Sequence, residues 1–221
     1  MRTTLKALGA LLTYPTAELR AALPEVAAAL NDEGALDRTH LRAIEALVAD
    51  IAGQDPLDAE EAYVGLFDRG RYTSLNLFEH LHGESRDRGP AMVDLKMTYE
   101  RAGFRLDARQ LPDYLPVLLE FLSLRPPAEA REMLSDCAHI LRSLGESLRD
   151  RGSPYHAVPA ALLSLAGEQG LGARREVPAA PEKSIDEEWM DSEVVFGPGA
   201  AAECSSARKP ASVVRFMPRP T

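Results

Sequence analysis

Two acid–histidine pairs have a spacing that could do chemistry. Glu79-x-x-His82 and Asp136-x-x-His139 each set a carboxylate and an imidazole three residues apart. Di-iron helical bundles use that spacing to present ligands from one helix face. Such a site needs both motifs aimed into the core. Helical phasing over 128–150 gathers Met133, Leu134, Cys137, Ile140, Leu141, Leu144 and Leu148 on one side. At roughly 100° per residue, His139 then falls about 200° from Cys137, on the wet side. The second acid is Asp where the motif uses Glu, and His80 and His82, two apart, cannot share a helix face. A metal-dependent, di-iron type enzyme built on Glu79, His82, Asp136 and His139 is therefore the rival reading. His82 is expected to hydrogen-bond locally.

Nucleophilic chemistry finds less support. The chain has no G-x-S-x-G, no P-loop, no dinucleotide fingerprint and no Cys beside a plausible base. Ser85 follows Glu84 in a turn, where capping is the common role. Cys137 and Cys204 form no CxxC or Cys/His pattern, which fits a reducing compartment. Cys137 lies on the apolar side of its helical run and reads as core filling.

Binding is the chemistry that the residues favour. Over 110–124, Leu111, Leu115, Leu118, Leu119 and Leu122 form an apolar stripe. The other side carries Asp113, Val117, Glu120 and Leu124, with Tyr114 and Phe121 at its flank. Apolar residues set between carboxylates suit a groove for a basic amphipathic helix. A central helix packed on both sides would show the same pattern. Tyr63, Phe67, Phe78 and His82 fall in a charged, aromatic stretch and are candidates for an opposite wall. Glu79, Glu84, Arg86, Asp87 and Arg88 crowd the turn between two helices and read as a salt-bridged corner braced by the arginines.

The elements that hold these residues are helices. Aromatics are only 6% of 221 residues, and no Val/Ile/Thr-rich run resembles a central strand. Capping residues and prolines mark helices at about 3–13, 17–31, 38–52, 57–68, 74–81, 88–102, 110–124, 128–150 and up to 166. The expected fold is all-α, a single-domain bundle of eight or nine helices over 1–167. Residues 168–221 are rich in Pro and Gly and weakly periodic, and are expected to be a mostly disordered tail. An acidic-aromatic patch at 186–197 surrounds Trp189. A net charge of −9, with arginines scattered among acids, argues against a nucleic-acid partner. No run of about 18 apolar residues crosses a membrane, and the opening MRTTLKALGALLTYP reads as a first helix rather than a leader.

Several runs carry a family resemblance: LFEHLHGESRDRGPAMVDL at Leu77–Leu95, YERAGF at Tyr99–Phe104 and LPDYLPVLLEFLS at Leu111–Ser123, with LLTYP at Leu11–Pro15 and EEWMDSEVVFG at Glu187–Gly197. Together they resemble the respiratory nitrate reductase assembly chaperones, within the redox-enzyme maturation chaperones. The resemblance implies an all-helical cytoplasmic protein that is not an enzyme. It would bind the N-terminal segment of the reductase's catalytic subunit and hold it open for molybdenum cofactor and an iron–sulfur cluster, with no stably bound cofactor of its own. It places peptide binding at the stretch matching Leu111–Leu115, where the wider family has LPDHL. Here Asp113 matches and Tyr114 replaces His. A structural subunit retained in the complex is a further alternative, and an exposed groove leaves pairing of two copies open. The Trp189 patch is expected to fold back or touch the partner.

Overall fold

The computed structural model describes residues 1–83, 85–106 and 110–173. Glu84, Cys204 and the Trp189 patch lie outside the described residues. Ten α-helices follow one another among those described. The first four are α1 (Arg2–Leu11), α2 (Ala17–Glu33), α3 (Arg38–Gly53) and α4 (Pro56–Tyr63), the last running into a π turn at Val64–Asp68. A 3-10 turn at Arg71–Thr73 leads to α5 (Leu77–His82), α6 (Arg88–Arg101) and α7 (Leu115–Ser123). Then come α8 (Pro127–Asp136), α9 (Ala138–Asp150) and α10 (Ala157–Ala166). No strand occurs among the described residues, although Asn76 and Tyr114 form an isolated antiparallel bridge. None of these helices is long and apolar enough to cross a membrane.

Local chemistry explains most of the boundaries. Thr16 accepts a hydrogen bond from the Leu19 amide at the start of α2. Asp37 accepts from Thr39 and His40 at the start of α3, and Asp55 from Leu57 at the start of α4. Each satisfies an amide that the first turn leaves without an intrahelical partner. Three helices form the centre. In α1, α7 and α10 most positions are buried, including Leu8, Leu11, Leu119 and Leu162 at 0% exposure. Helix α1 packs on α7 and α2, while α3, α8 and α9 pack on α10.

Two expected helices are shorter than their apolar runs. The run 128–150 divides at Cys137, between α8 and α9. The run 110–124 yields a helix only from Leu115, because Pro116 lacks an amide and its ring would clash with the carbonyl four residues back. Asp113 and Tyr114 therefore precede the helix. They pair instead with the start of α5: Leu77 donates to the Asp113 carbonyl at 2.9 Å and Leu115 to the Leu75 carbonyl at 2.8 Å.

Ordered chain also extends beyond the expected boundary at 167. Residues 168–173 run along α9, where Arg142 donates to the Gln169 carbonyl at 3.0 Å and Glu146 accepts from the Gly172 amide at 2.9 Å. Leu171 sits against Gly145, where a Cβ would meet it at 2.5 Å.

Glu33, at the end of α2, ties down the start of α1. It accepts from the Thr3 amide at 3.1 Å and the Thr4 amide at 2.6 Å, and it pairs with the Met1 amino group at 2.6 Å. Burial alone would raise its pKa. The hydrogen bonds from the amino group, Thr4 and Thr3 outweigh it and bring the value from 4.5 down to about 2. A carboxyl with a lowered folded pKa stabilises the fold above its unfolded value, and that stability goes as pH falls through the folded one. Urea midpoints should therefore drop between pH 4.5 and about 2. Glu33→Gln should flatten part of that drop and cost about 1.5 kcal/mol at neutral pH.

Candidate functional site

Helices α1 and α7 run antiparallel in close contact. A Cβ on Gly9 would lie 3.4 Å from Leu119 Cβ and 3.5 Å from the Pro116 carbonyl oxygen. The bare Cα of Gly9 thus lets the two helices approach. Above their seam lies a trough of hollows that share lining residues. The first, about 550 Å³, is walled by Tyr14, Tyr63, Phe67 and Tyr114. Tyr114 also lines the second, about 350 Å³, with Lys6, Ala10, Val117 and Glu120. Val117 and Glu120 continue into the third, about 350 Å³, with Phe104, Phe121 and Leu124. Phe104 and Leu124 pass into the last, about 500 Å³, beside Leu5 and Ala130. The trough follows α7 from end to end, a length of about 14 Å at 1.5 Å per residue.

Most of the expected groove residues meet here. Tyr63, Phe67, Tyr114, Val117, Glu120, Phe121 and Leu124 all line the trough. Leu124 is 38% exposed and Val117 half-buried, so neither is sealed under a neighbouring helix. Phe121 is nearly buried and touches three groups: Tyr99 at 4.6 Å between ring centroids, Phe104 at 5.6 Å, and the Arg125 guanidinium at 5.8 Å. At the other end, the Tyr63 hydroxyl donates to the Leu12 carbonyl at 2.8 Å and lies 3.4 Å from the Tyr114 hydroxyl. Burial raises the pKa of both tyrosines.

Three expected groove residues are placed elsewhere. Phe78 and His82 stack edge to face on α5, 6.0 Å apart, and line none of these four hollows. Asp113 is wholly buried and cannot fringe a groove. The helical phasing that put it on the outer face does not apply to a residue outside the helix. Its Oδ2 accepts the Phe78 amide at 3.1 Å and lies 3.7 Å from Arg88, which pairs with Glu79 at 3.0 Å. Burial raises the Asp113 pKa, against the lowering pull of the Phe78 amide and Arg88. Arg88 thus braces the corner from Glu79 and Asp113. Arg86 and Asp87 are exposed, and Asp87 accepts from the Ser85 hydroxyl at 3.1 Å.

The walls that sequence reasoning missed are Phe104, Leu106 and Gln110 on one side and Lys6, Ala10, Thr13 and Tyr14 on the other. Phe104 and Leu106 flanking Arg105 gave an alternating signal. The α1 wall depends on a pairing distant in sequence, and no local pattern announces it.

The rival metal site does not assemble. Glu79 is engaged by Arg88, while Asp136 and His139 are exposed. Among the described residues no three His, Cys, Asp or Glu side chains group as a metal site. Burial pushes the Cys137 thiol up to about 11, which disfavours the nucleophilic thiolate.

Comparison with known proteins places this arrangement in a family. The model for the nitrate reductase delta subunit matches residues 14–158. The chain is 42% identical over 196 residues to the nitrate reductase molybdenum cofactor assembly chaperone NarJ of Escherichia coli strain K12, covering 84% of this chain and 81% of that one. It is 38% identical over 211 residues to the protein named "Probable nitrate reductase molybdenum cofactor assembly chaperone NarW" of the same strain, covering 92% and 87%. The crystal structure of a proposed redox enzyme maturation protein from Archaeoglobus fulgidus shares the fold, with a TM-score of 0.56 at 19% identity, over 76% of this chain and 94% of that one. On the extent of the family match and of the identity to NarJ, this chain belongs to the nitrate reductase delta subunit family.

Proposed function

We propose that this chain is an assembly chaperone of a respiratory nitrate reductase. It binds the N-terminal segment of the catalytic subunit in the trough along α7. It acts in the cytoplasm, permits insertion of molybdenum cofactor and an iron–sulfur cluster into that partner before membrane docking, and carries no stably bound cofactor itself. The supporting observation is an accessible apolar trough, with Val117 half-buried along it and Leu124 exposed toward its α7 C-terminal end, in a chain 42% identical to a named assembly chaperone. Apolar anchors contribute roughly 1.5–3 kcal/mol each when fully buried. Exposed ion pairs add about 0–1 kcal/mol. Apolar contact therefore holds the guest, and charges set its approach.

A synthetic peptide with the sequence of the catalytic subunit's N-terminal segment is expected to bind with micromolar or tighter affinity, about 8 kcal/mol. Calorimetric titration measures it. Val117→Ser combined with Leu124→Ser should weaken binding about tenfold, or 1.4 kcal/mol, while circular dichroism shows the fold retained. Unchanged affinity in that variant would remove the trough from the binding site.

A further inference from the structure

The trough has unlike ends. Around the hollow at the α7 N-terminal end, the charged side chain among the described lining residues is Asp68. The π turn at Val64–Asp68 carries it there directly after Phe67. Glu60 sits at the same rim and accepts the Tyr14 hydroxyl at 2.9 Å. At the α7 C-terminal end the linings carry Arg105, which shares its hollow with Glu120, and Arg2 and Arg125, the last paired with Glu129 at 2.6 Å. Between the ends, Lys6 and Glu120 share one hollow and offset each other. Helix dipoles do not override this asymmetry. The C-terminus of α1 lies beside the N-terminus of α7, so their end charges oppose.

We infer that the trough accepts its guest in one direction, with a basic side chain seated in the tyrosine-lined hollow against Asp68 and the guest's neutral or acidic end over Arg105, Arg2 and Arg125. This inference rests on the peptide-binding reading above and adds a subsite and a polarity to it. The hollow suits a guanidinium. That group has donors and no acceptor. The hollow offers the Asp68 carboxylate and three tyrosine oxygens, of which Tyr63 already donates its proton to Leu12 and Tyr14 to Glu60. Their oxygens are left to accept. A planar guanidinium also stacks on aromatic faces, and Tyr14, Tyr63, Phe67 and Tyr114 supply them. A reversed guest would set its cation near Arg105 and Arg2 and forgo the contact with Asp68, a like-charge placement that selects against that register.

The test uses the full chain and a synthetic amphipathic peptide of about 15 residues, roughly 22 Å as a helix. One peptide has arginines at one end and glutamates at the other, with a photocrosslinking residue beside either end. A second has the same apolar stripe and no charges. Crosslinks from the arginine end are expected on Tyr14–Thr16 and Tyr63–Asp68, and those from the glutamate end on Phe104–Leu106 and Leu124–Pro127. Asp68→Arg should weaken the charged peptide about three- to tenfold and leave the neutral one unchanged, Asp68 being exposed. Crosslinks spread equally from both ends, or equal weakening of both peptides, would overturn the polarity while leaving the trough as a peptide site. Failure of either peptide to bind the wild-type chain would overturn the peptide-binding reading together with this one.

Discussion

Replacing Asp113 by alanine is expected to lower the unfolding free energy by about 2–3 kcal/mol, read as a fall in the urea midpoint at unchanged slope. The carboxylate is fully buried and accepts the Phe78 amide. Truncation leaves that donor without a partner and removes one of the two acids near Arg88. Glu79 still holds Arg88, so the loss falls short of a fully orphaned charge. Asp113→Asn should cost less, about 1 kcal/mol, because an amide oxygen can still accept from Phe78. The pair of variants separates two roles for this residue. If Asp113 touched the guest directly, the stable Asn variant would lose binding. If it clasps Leu75–Phe78 to Asp113–Leu115, the Asn variant keeps its affinity. The buried geometry favours the clasp.

Phe121→Ala should cost about 3 kcal/mol in the same measurement, the usual scale for emptying a buried aromatic site. Phe121 is where α7 meets the segment that forms the trough's outer wall, through Tyr99 and Phe104. Tyr99 in turn donates to the Pro112 carbonyl at 2.8 Å, joining α6 to the stretch ahead of α7. Alanine removes the ring that both residues rest on, so Phe104 loses its support and peptide affinity should fall with stability. Phe121→Leu, which keeps most of the volume, should cost about 1 kcal/mol and preserve binding.

The helices that carry their own signals could be read from the sequence. Asp37 before a 3.6-residue apolar repeat marks α3, and Asp55-Pro56 marks α4, because caps and prolines act within a few residues of where they stand. The stretch 110–124 shows where that reasoning ends. Its leucines keep a helical period through Leu111, yet Pro116 sets the helix start at Leu115. Asp113 then lies in a turn and Tyr114 in extended chain, and their expected face loses its meaning. The outward faces of Val117, Glu120 and Leu124 survive because these residues belong to the helix or its cap. Phe78 and His82 looked like wall residues from their company of charges and aromatics. The clasp to Asp113 fixes α5 away from the four hollows, and that contact spans 35 residues. The break at Cys137 comes without a proline or glycine, so no local residue type announced it.

The close seam at Gly9 bears on what it takes to load a guest. Where two buried helices meet over a bare Cα, the floor between them is set by main-chain contact and does not await rearrangement. The receptor contributes little ordering entropy, and most of that loss falls on the incoming segment as it gives up its own freedom. On the peptide-binding reading proposed above, selectivity then turns in part on how readily each candidate adopts a slim amphipathic shape. A floppy segment gives up more freedom on docking than one already inclined to a helix.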